Sequence, residues 1–287
     1  MKNIFLYLLL SGGLVFAQNS TEVYLLDLST DRTTPTNISQ NPGYDNQPSF
    51  WDNEDLLYTR SRDGQTDIVR YKINSKKLEW QTNTLQGSEY SPLRIPQSEA
   101  FSAIRLDTTG LQRLYRYTAD GKDELLFSPL KIGYQRWISA STLLCTVLVE
   151  DHMNLMLVKT DNPPLLLAKM VGRSLHRIPN TEQLSFIQQK EGENVLSSYD
   201  PKTKVIQPLL PLPAGVQDVA WLATGTLIFG QGNTLYQWNP TTSTGIQVWK
   251  KLEGINNISR LALSPSRKLL ALVGGRINQK NLTLKGI

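Results

Sequence analysis

The chain has 287 residues, of which 40% are hydrophobic and 19% charged, with a formal net charge of +5. That composition excludes a disordered chain, and the length is ample for a sizeable core. The basic surplus is thin and dispersed, with no run of five or six Lys or Arg, so the electrostatic footprint of a nucleic-acid binder is missing.

The first residues read as a secretion signal. Lys2 gives a positive start, Ile4–Phe16 is almost wholly apolar, and Ala17 places a small residue before the expected cut ahead of Gln18. The apolar run is too short to span a bilayer, which takes about 20 residues, and no second long run follows. Residues 1–17 are therefore read as a signal peptide and the destination as the periplasm or the cell exterior. Cys145 is the single cysteine; it sits in the apolar run Leu143–Val147 and reads as a buried, inert thiol. With no disulfide possible inside the chain, core burial alone must hold the fold.

From Glu22 onward, short apolar-alternating runs are set off by Gly, Asn, Asp or Pro turns, with no sustained helical period. One strand type, labelled c, recurs at Glu22–Asp27, Asp67–Lys72, Gln112–Tyr117, Asn154–Lys159, Asn194–Tyr199 and Asn233–Trp238. An inner strand a is headed by Pro48–Phe50, Pro92–Arg94, Gln135–Trp137, His176–Ile178, Val219–Trp221 and Arg260–Ala262. Strand b follows at Leu56–Tyr58, Phe101–Ala103, Leu143–Cys145, Leu184–Phe186, Leu227–Phe229 and Leu269–Ala271. Shorter outer strands d lie at Leu78–Trp80, Glu124–Leu126, Leu165–Leu167, Val205–Gln207 and Gln247–Trp249.

Four strands every ~40–45 residues is the period of a propeller blade. The expected fold class is all-β: a six-bladed β-propeller of four-stranded antiparallel blades, one domain over residues 18–287. Five blades are complete, at roughly 48–84, 92–127, 135–168, 176–209 and 219–250. The sixth takes strands a and b from residues 258–273 and strands c and d from residues 21–40, which closes the ring and removes free sheet edges. Asn281–Lys285 reads as one strand too many, a peripheral tail.

Blade one carries a distinctive pattern: Asp45-Asn-Gln-Pro48-Ser-Phe50, then Leu56–Tyr58, the Arg62-Asp-Gly64 turn and Thr66-Asp67. It resembles the repeat of TolB-like propellers, in which an Asp-x-x-Pro-x-Phe inner strand leads through a b strand to an Asp-Gly turn. Ser91-Pro92 and Leu263-Ser-Pro265 are weaker copies. The chain looks like exported TolB-like propellers of Bacteroidetes-type bacteria. The resemblance implies the same propeller without TolB's extra N-terminal α/β domain, for which this chain has no room. The motif residues also have physical uses. Gly64 suits a turn with φ > 0, Pro48 a place where no ladder donor is needed, and Asp45 and Asp67 can accept backbone N–H bonds near strand ends.

Antiparallel strands put the d–a and b–c loops on one face, around the channel. Ligand-binding candidates on the d–a side are Tyr44, Asp45, Glu89, Tyr90, Tyr134, Arg136, Arg173, His176, Asp218 and Arg260. The b–c side adds Arg60, Arg62, Asp63, Arg105, Asp107, Glu150, Asp151 and His152. Such a mouth suits peptides, sugars or small anions. Catalysis is poorly supplied. His152 and His176 fall in different blades, which excludes a His-rich metal centre, and a carboxylate calcium site at Asp45, Asp63 or Glu150-Asp151 stays open. There is no Gly-x-Ser-x-Gly elbow, and Gly225–Gly232 reads as a strand with its turns rather than a phosphate loop. No catalytic residue, metal ligand or cofactor is assigned. The leading expectation is a monomeric, non-enzymatic binding or scaffolding propeller for an envelope protein, peptide or glycan. Its alternative is a propeller hydrolase or lyase using channel-facing carboxylates on a sugar polymer. A sensor domain serving a membrane partner is a third.

Overall fold

The computed structural model describes residues 20–242 and 245–276. The expected signal peptide at 1–17 and the surplus strand at Asn281–Lys285 lie outside the described residues.

Among those residues all regular structure is β-strand. The chain starts with β1 (Glu22–Asp27) and β2 (Thr36–Asn37). Blade one is β3 (Asp45–Phe50), β4 (Asp55–Arg62), β5 (Gln65–Lys72) and β6 (Lys77–Trp80). Blade two is β7 (Gly87–Arg94), β8 (Phe101–Asp107), β9 (Gln112–Tyr117) and β10 (Asp123–Leu126). Blade three is β11 (Ile132–Ser139), β12 (Thr142–Val149), β13 (His152–Lys159) and β14 (Leu165–Ala168). Blade four is β15 (Val171–Arg177), β16 (Leu184–Lys190), β17 (Glu193–Tyr199) and β18 (Ile206–Pro211). Blade five is β19 (Ala220–Trp221), β20 (Leu227–Gln231), β21 (Thr234–Trp238) and β22 (Gln247–Lys251). The last strands are β23 (Ile255–Leu263) and β24 (Leu269–Arg276).

The sixth sheet has the order β2-β1-β24-β23, so both ends of the chain build one blade. Leu25 lies opposite Ala271 and Val23 opposite Val273 in that seam. The closing segment is also tied sideways to blade one: Thr21 N–H donates to Gly43 O at 3.0 Å, and Asp45 N–H to Thr21 O at 3.1 Å. A six-bladed propeller of four antiparallel strands per blade is thus the architecture, closed as the sequence led us to expect.

Each sheet is covered on both faces by its neighbours, so the middle strands are apolar almost throughout. β12 buries Leu143, Leu144, Cys145, Thr146 and Val147 in succession. Burial pushes the Cys145 thiol up to about 12, which keeps it protonated and inert. The core is accordingly a set of clusters between adjacent blades. Trp51, Leu57 and Ile68 of blade one meet Phe101, Ala103 and Tyr117 of blade two. Val23, Ala271 and Val273 of the seam blade meet Leu56, Tyr58, Val69 and Tyr71 of blade one. The inner strands carry a further device. The pairing of β3 with β4 slips between Asn46 and Ser49, and that of β7 with β8 between Tyr90 and Leu93. Gln47 (φ 56°) and Ser91 (φ 51°) take the left-handed backbone there. These bulges turn the mouth half of each inner strand and re-aim its side chains.

Candidate functional site

The inner strands enclose a central cavity of about 390 Å³. Its polar wall is built by Tyr134 and Arg136 of β11, Arg173, Ser174 and His176 of β15, Asp218 just ahead of β19, Arg260 of β23, and Arg267 of the β23–β24 turn. Residues two apart on a strand share a side, which is why Ser174 and His176 face each other, Oγ to Nε2, at 3.0 Å.

At the end bounded by the d–a loops, Asp218 sits between two guanidiniums. Its Oδ2 is 4.0 Å from Arg173 Nε and 3.8 Å from Arg260 Nη1. Arg173 Nη2 donates to Ser259 O at 2.7 Å, which fixes its fork. The Arg260 guanidinium lies 5.4 Å from the centre of the Tyr134 ring, and Tyr44 meets Tyr90 edge to face at 6.3 Å. Burial holds the Asp218 carboxyl above the usual range in spite of Arg260 and Arg173, and holds Arg173 below its usual value with the help of the Arg260 charge. The Tyr44 hydroxyl is pushed up to about 12, chiefly by burial.

Two side grooves open from this end. One, of about 400 Å³, runs between blades three and four past Glu150, Asp151 and His152 and shares Tyr134 and Arg173 with the channel. The other, of about 420 Å³, runs between blades five and six past Gln217, Gln231 and Asn257 and shares Arg173 and Asp218. Arg173 therefore borders all three spaces.

The opposite end holds Arg136, His176 and Arg267. Arg136 pairs across to Leu144 and His176 to Ser185, both close to the a–b turns. The sequence reading grouped Arg136 and His176 with the mouth residues; the structure sets them deeper. Burial, then the charges of Arg136 and Arg267, drive His176 down to about 3, so its ring is neutral at ordinary pH. Ser174 Oγ receives Val219 N–H at 3.1 Å and donates to Asp218 Oδ1 at 3.3 Å. Asp218 thus contacts the serine and not the far nitrogen of the histidine, so these three residues do not have the arrangement of a nucleophilic triad.

Asp45 and Glu89 are fully buried and do not line the cavity. They occupy the same place in successive blades, Asp45 opposite Arg60 and Glu89 opposite Arg105. Glu89 Oε1 accepts from Arg105 Nε and from the Tyr117 hydroxyl, each at 3.1 Å. Asp45 Oδ1 has only the Asn41 amide, at 3.4 Å, and one oxygen of each acid has no hydrogen-bond partner. Burial pushes Asp45 up to about 7, with Arg60 the largest opposing influence, and raises Glu89 as well. On the b–c side most charges are tied into the fold. Arg62 Nε bonds Asp67 Oδ2 at 2.9 Å and its guanidinium stacks 3.9 Å from the Trp80 ring. Arg60 reaches Ser39 O at 3.0 Å, Asp107 caps its own turn, and Asp63 forms a hairpin turn with Gly64. Arg105 also forms an ion pair with Asp123.

Sequence reading missed Ser174 and Arg267. Arg267 comes from an a–b turn, on the side away from the d–a and b–c loops, two residues after the Leu263-Ser-Pro265 motif. Among the described residues no three His, Cys, Asp or Glu side chains group in a way that holds a metal ion, and no helix is long and apolar enough to cross a membrane.

No protein-family model matches the chain, and no curated protein sequence matches it. Solved structures do. A structure assigned to TolB from Agrobacterium tumefaciens is 11% identical with a TM-score of 0.67, covering 88% of this chain and 97% of that one. A gluconolactonase from Xanthomonas campestris is 12% identical with a TM-score of 0.62, covering 87% of this chain and 88% of that one. An oligogalacturonate lyase in complex with manganese is 15% identical with a TM-score of 0.58, covering 90% and 83%. At these identities the likeness is one of fold: the chain has a TolB-like propeller fold, which the two enzymes also share.

Proposed function

We propose that the protein is an exported envelope propeller, periplasmic or secreted, that binds a peptide, protein or glycan segment at its channel mouth without transforming it. The observation that carries this reading is the meeting of the channel and two side grooves at Arg173. A segment laid across Arg173 reaches all three spaces, with Tyr134 and Arg260 presenting aromatic and cationic surface beside it. The reading takes residues 1–17 as a signal peptide and residues 18–287 as one monomeric domain. The TolB likeness supports a protein partner, and the likeness to sugar-acting enzymes supports a glycan. The hydrolase or lyase alternative asks for two acids facing each other across the channel. Asp218 is the one carboxylate among the residues lining the cavity, so binding is the reading taken forward.

The test is capture from a cell-envelope fraction on immobilised protein, compared with Arg173→Met and Tyr134→Ala. A defined envelope protein, peptide or glycan is expected, its capture falling about tenfold or more in both variants while both stay folded. Equal capture by both variants overturns the proposal. So does turnover of a lactone or uronide by the purified protein that Asp218→Asn abolishes.

A further inference from the structure

The channel is electrically one-sided. Arg136, Arg173, Arg177, Arg260 and Arg267 line it, against the single carboxylate of Asp218. Arg177 is ion-paired with Glu182, and Arg173 and Arg260 share Asp218. Arg136 and Arg267, at the a–b end, pair with no carboxylate among the described residues. Arg267 is anchored by donating from Nη1 to Trp221 O at 2.8 Å, which leaves the rest of its fork uncommitted. The Arg136 guanidinium makes no hydrogen bond or ion pair among the described residues. Both side chains are half-buried, and burial together with the Arg267 charge holds Arg136 below its ordinary basicity. Between them His176 is neutral and uses one ring nitrogen on Ser174.

Placing two guanidiniums together in a partly desolvated space without a counter-charge costs folding free energy. Among the described residues the one polar contact that offsets it is Arg267 to Trp221 O, and no carboxylate pairs with either guanidinium. An oxyanion offsets that cost, because the planar fork of arginine matches a carboxylate or phosphate with paired N–H donors.

We propose that Arg136 and Arg267, beside the neutral ring of His176, form an oxyanion site at the a–b end of the channel, which receives a carboxylate or phosphate group carried by the ligand. This rests on the reading that the channel takes a ligand. The one cavity is bordered by both Arg173 and Arg136, so a segment that crosses the mouth can send its charged end down to the deeper pair.

The experiment is calorimetric titration of the full mature chain with sodium phosphate, acetate and glucuronate, and with neutral glucose, at low ionic strength, alongside thermal melts. A saturable single site for an oxyanion is expected, with a rise in Tm that glucose does not give. Phosphate binding tighter than acetate and glucuronate assigns a phosphate group; the reverse order assigns a carboxylate. Arg136→Met and Arg267→Met should each weaken binding about tenfold or more. Without ligand, Arg136→Met should melt no lower than the parent, because it removes an uncompensated charge. Absence of heat and of any Tm rise with all three anions at about 50 mM overturns the proposal, as does equal binding by both variants. If an envelope ligand is captured through Arg173 and no oxyanion binds, this inference falls alone. If an oxyanion binds through Arg136 and no capture depends on Arg173, the mouth reading falls and the site stands.

Discussion

Trp137 and Trp221 sit at equivalent places on the inner strands of blades three and five. Each donates its indole N–H to a serine on the preceding blade, Ser102 and Ser185, at 2.8 Å. Trp221 is only 2% exposed and is the largest side chain that is fully enclosed. Replacing Trp221 by Ala should cost about 3–5 kcal/mol in urea unfolding, while Trp221→Phe should cost less and leave the Ser185 hydroxyl without its donor. A loss under about 1 kcal/mol for the alanine variant would contradict the packing described. Asp45 makes a pH prediction. Its folded value near 7 lies above the ordinary 3.8, so the folded state holds the proton more tightly than the unfolded chain. Its contribution to stability is therefore greatest in acid and declines as pH rises from about 4 to about 7. Glu89 and Asp218 are raised in the same direction, so Asp45→Asn should flatten this decline without abolishing it, as read from unfolding midpoints across that range. An unchanged slope would contradict the burial of Asp45. The aromatic inner-strand positions were legible in the sequence because a bulky side chain at one place in each repeat has one packing role. The two acids were legible as motif residues and not as buried ones, since burial depends on what the neighbouring blade lays over them.

The hairpin between β4 and β5 turns on Asp63 (φ 49°) and Gly64 (φ 82°), with Arg62 paired to Gln65. Positive φ at both central residues is the turn that matches the right-handed twist of its strands, and Asp-Gly is one of its preferred sequences. Gly64→Val should cost about 1–2 kcal/mol in denaturant unfolding, since a β-branched residue strains there even though open space surrounds the position. A neutral effect would mean the turn is of another type. Such turns, and the c and d strands, were readable because alternation and turn residues are local. The inner strands were not read to their true ends. They were expected to start at Pro48, Pro92, Gln135, His176 and Arg260, and they start at Asp45, Gly87, Ile132, Val171 and Ile255. A bulge breaks the two-residue alternation, so the half of the strand before it looks like loop. That hidden half carries Arg173, and the same blind spot made Arg136 and His176 look nearer the mouth than they are.

At the scale of the whole molecule the ring is a cycle of blade-to-blade contacts, and the seam blade is the one held by both ends of the chain. Val23, Tyr24 and Leu26 of β1 enter the clusters on both sides of that blade. Deleting residues 21–40 removes them and exposes the edge of β24, so the shortened protein should melt at lower temperature or fail to fold; the same Tm as the full chain would contradict the closure. Ring closure could be foreseen from the repeat count, because half-blades at both ends have no other partner. What the mouth binds could not, because it depends on which side chains of non-adjacent blades meet across the channel. The direct test of the mouth is site-specific photo-crosslinking. A photoreactive amino acid is placed at Tyr134, at the mouth, or at Trp80, on the outer strand of blade one, and each protein is irradiated with the envelope fraction. We expect a discrete cross-linked species from the Tyr134 position and none from the Trp80 position. Cross-links from the Trp80 position alone would contradict binding at the mouth.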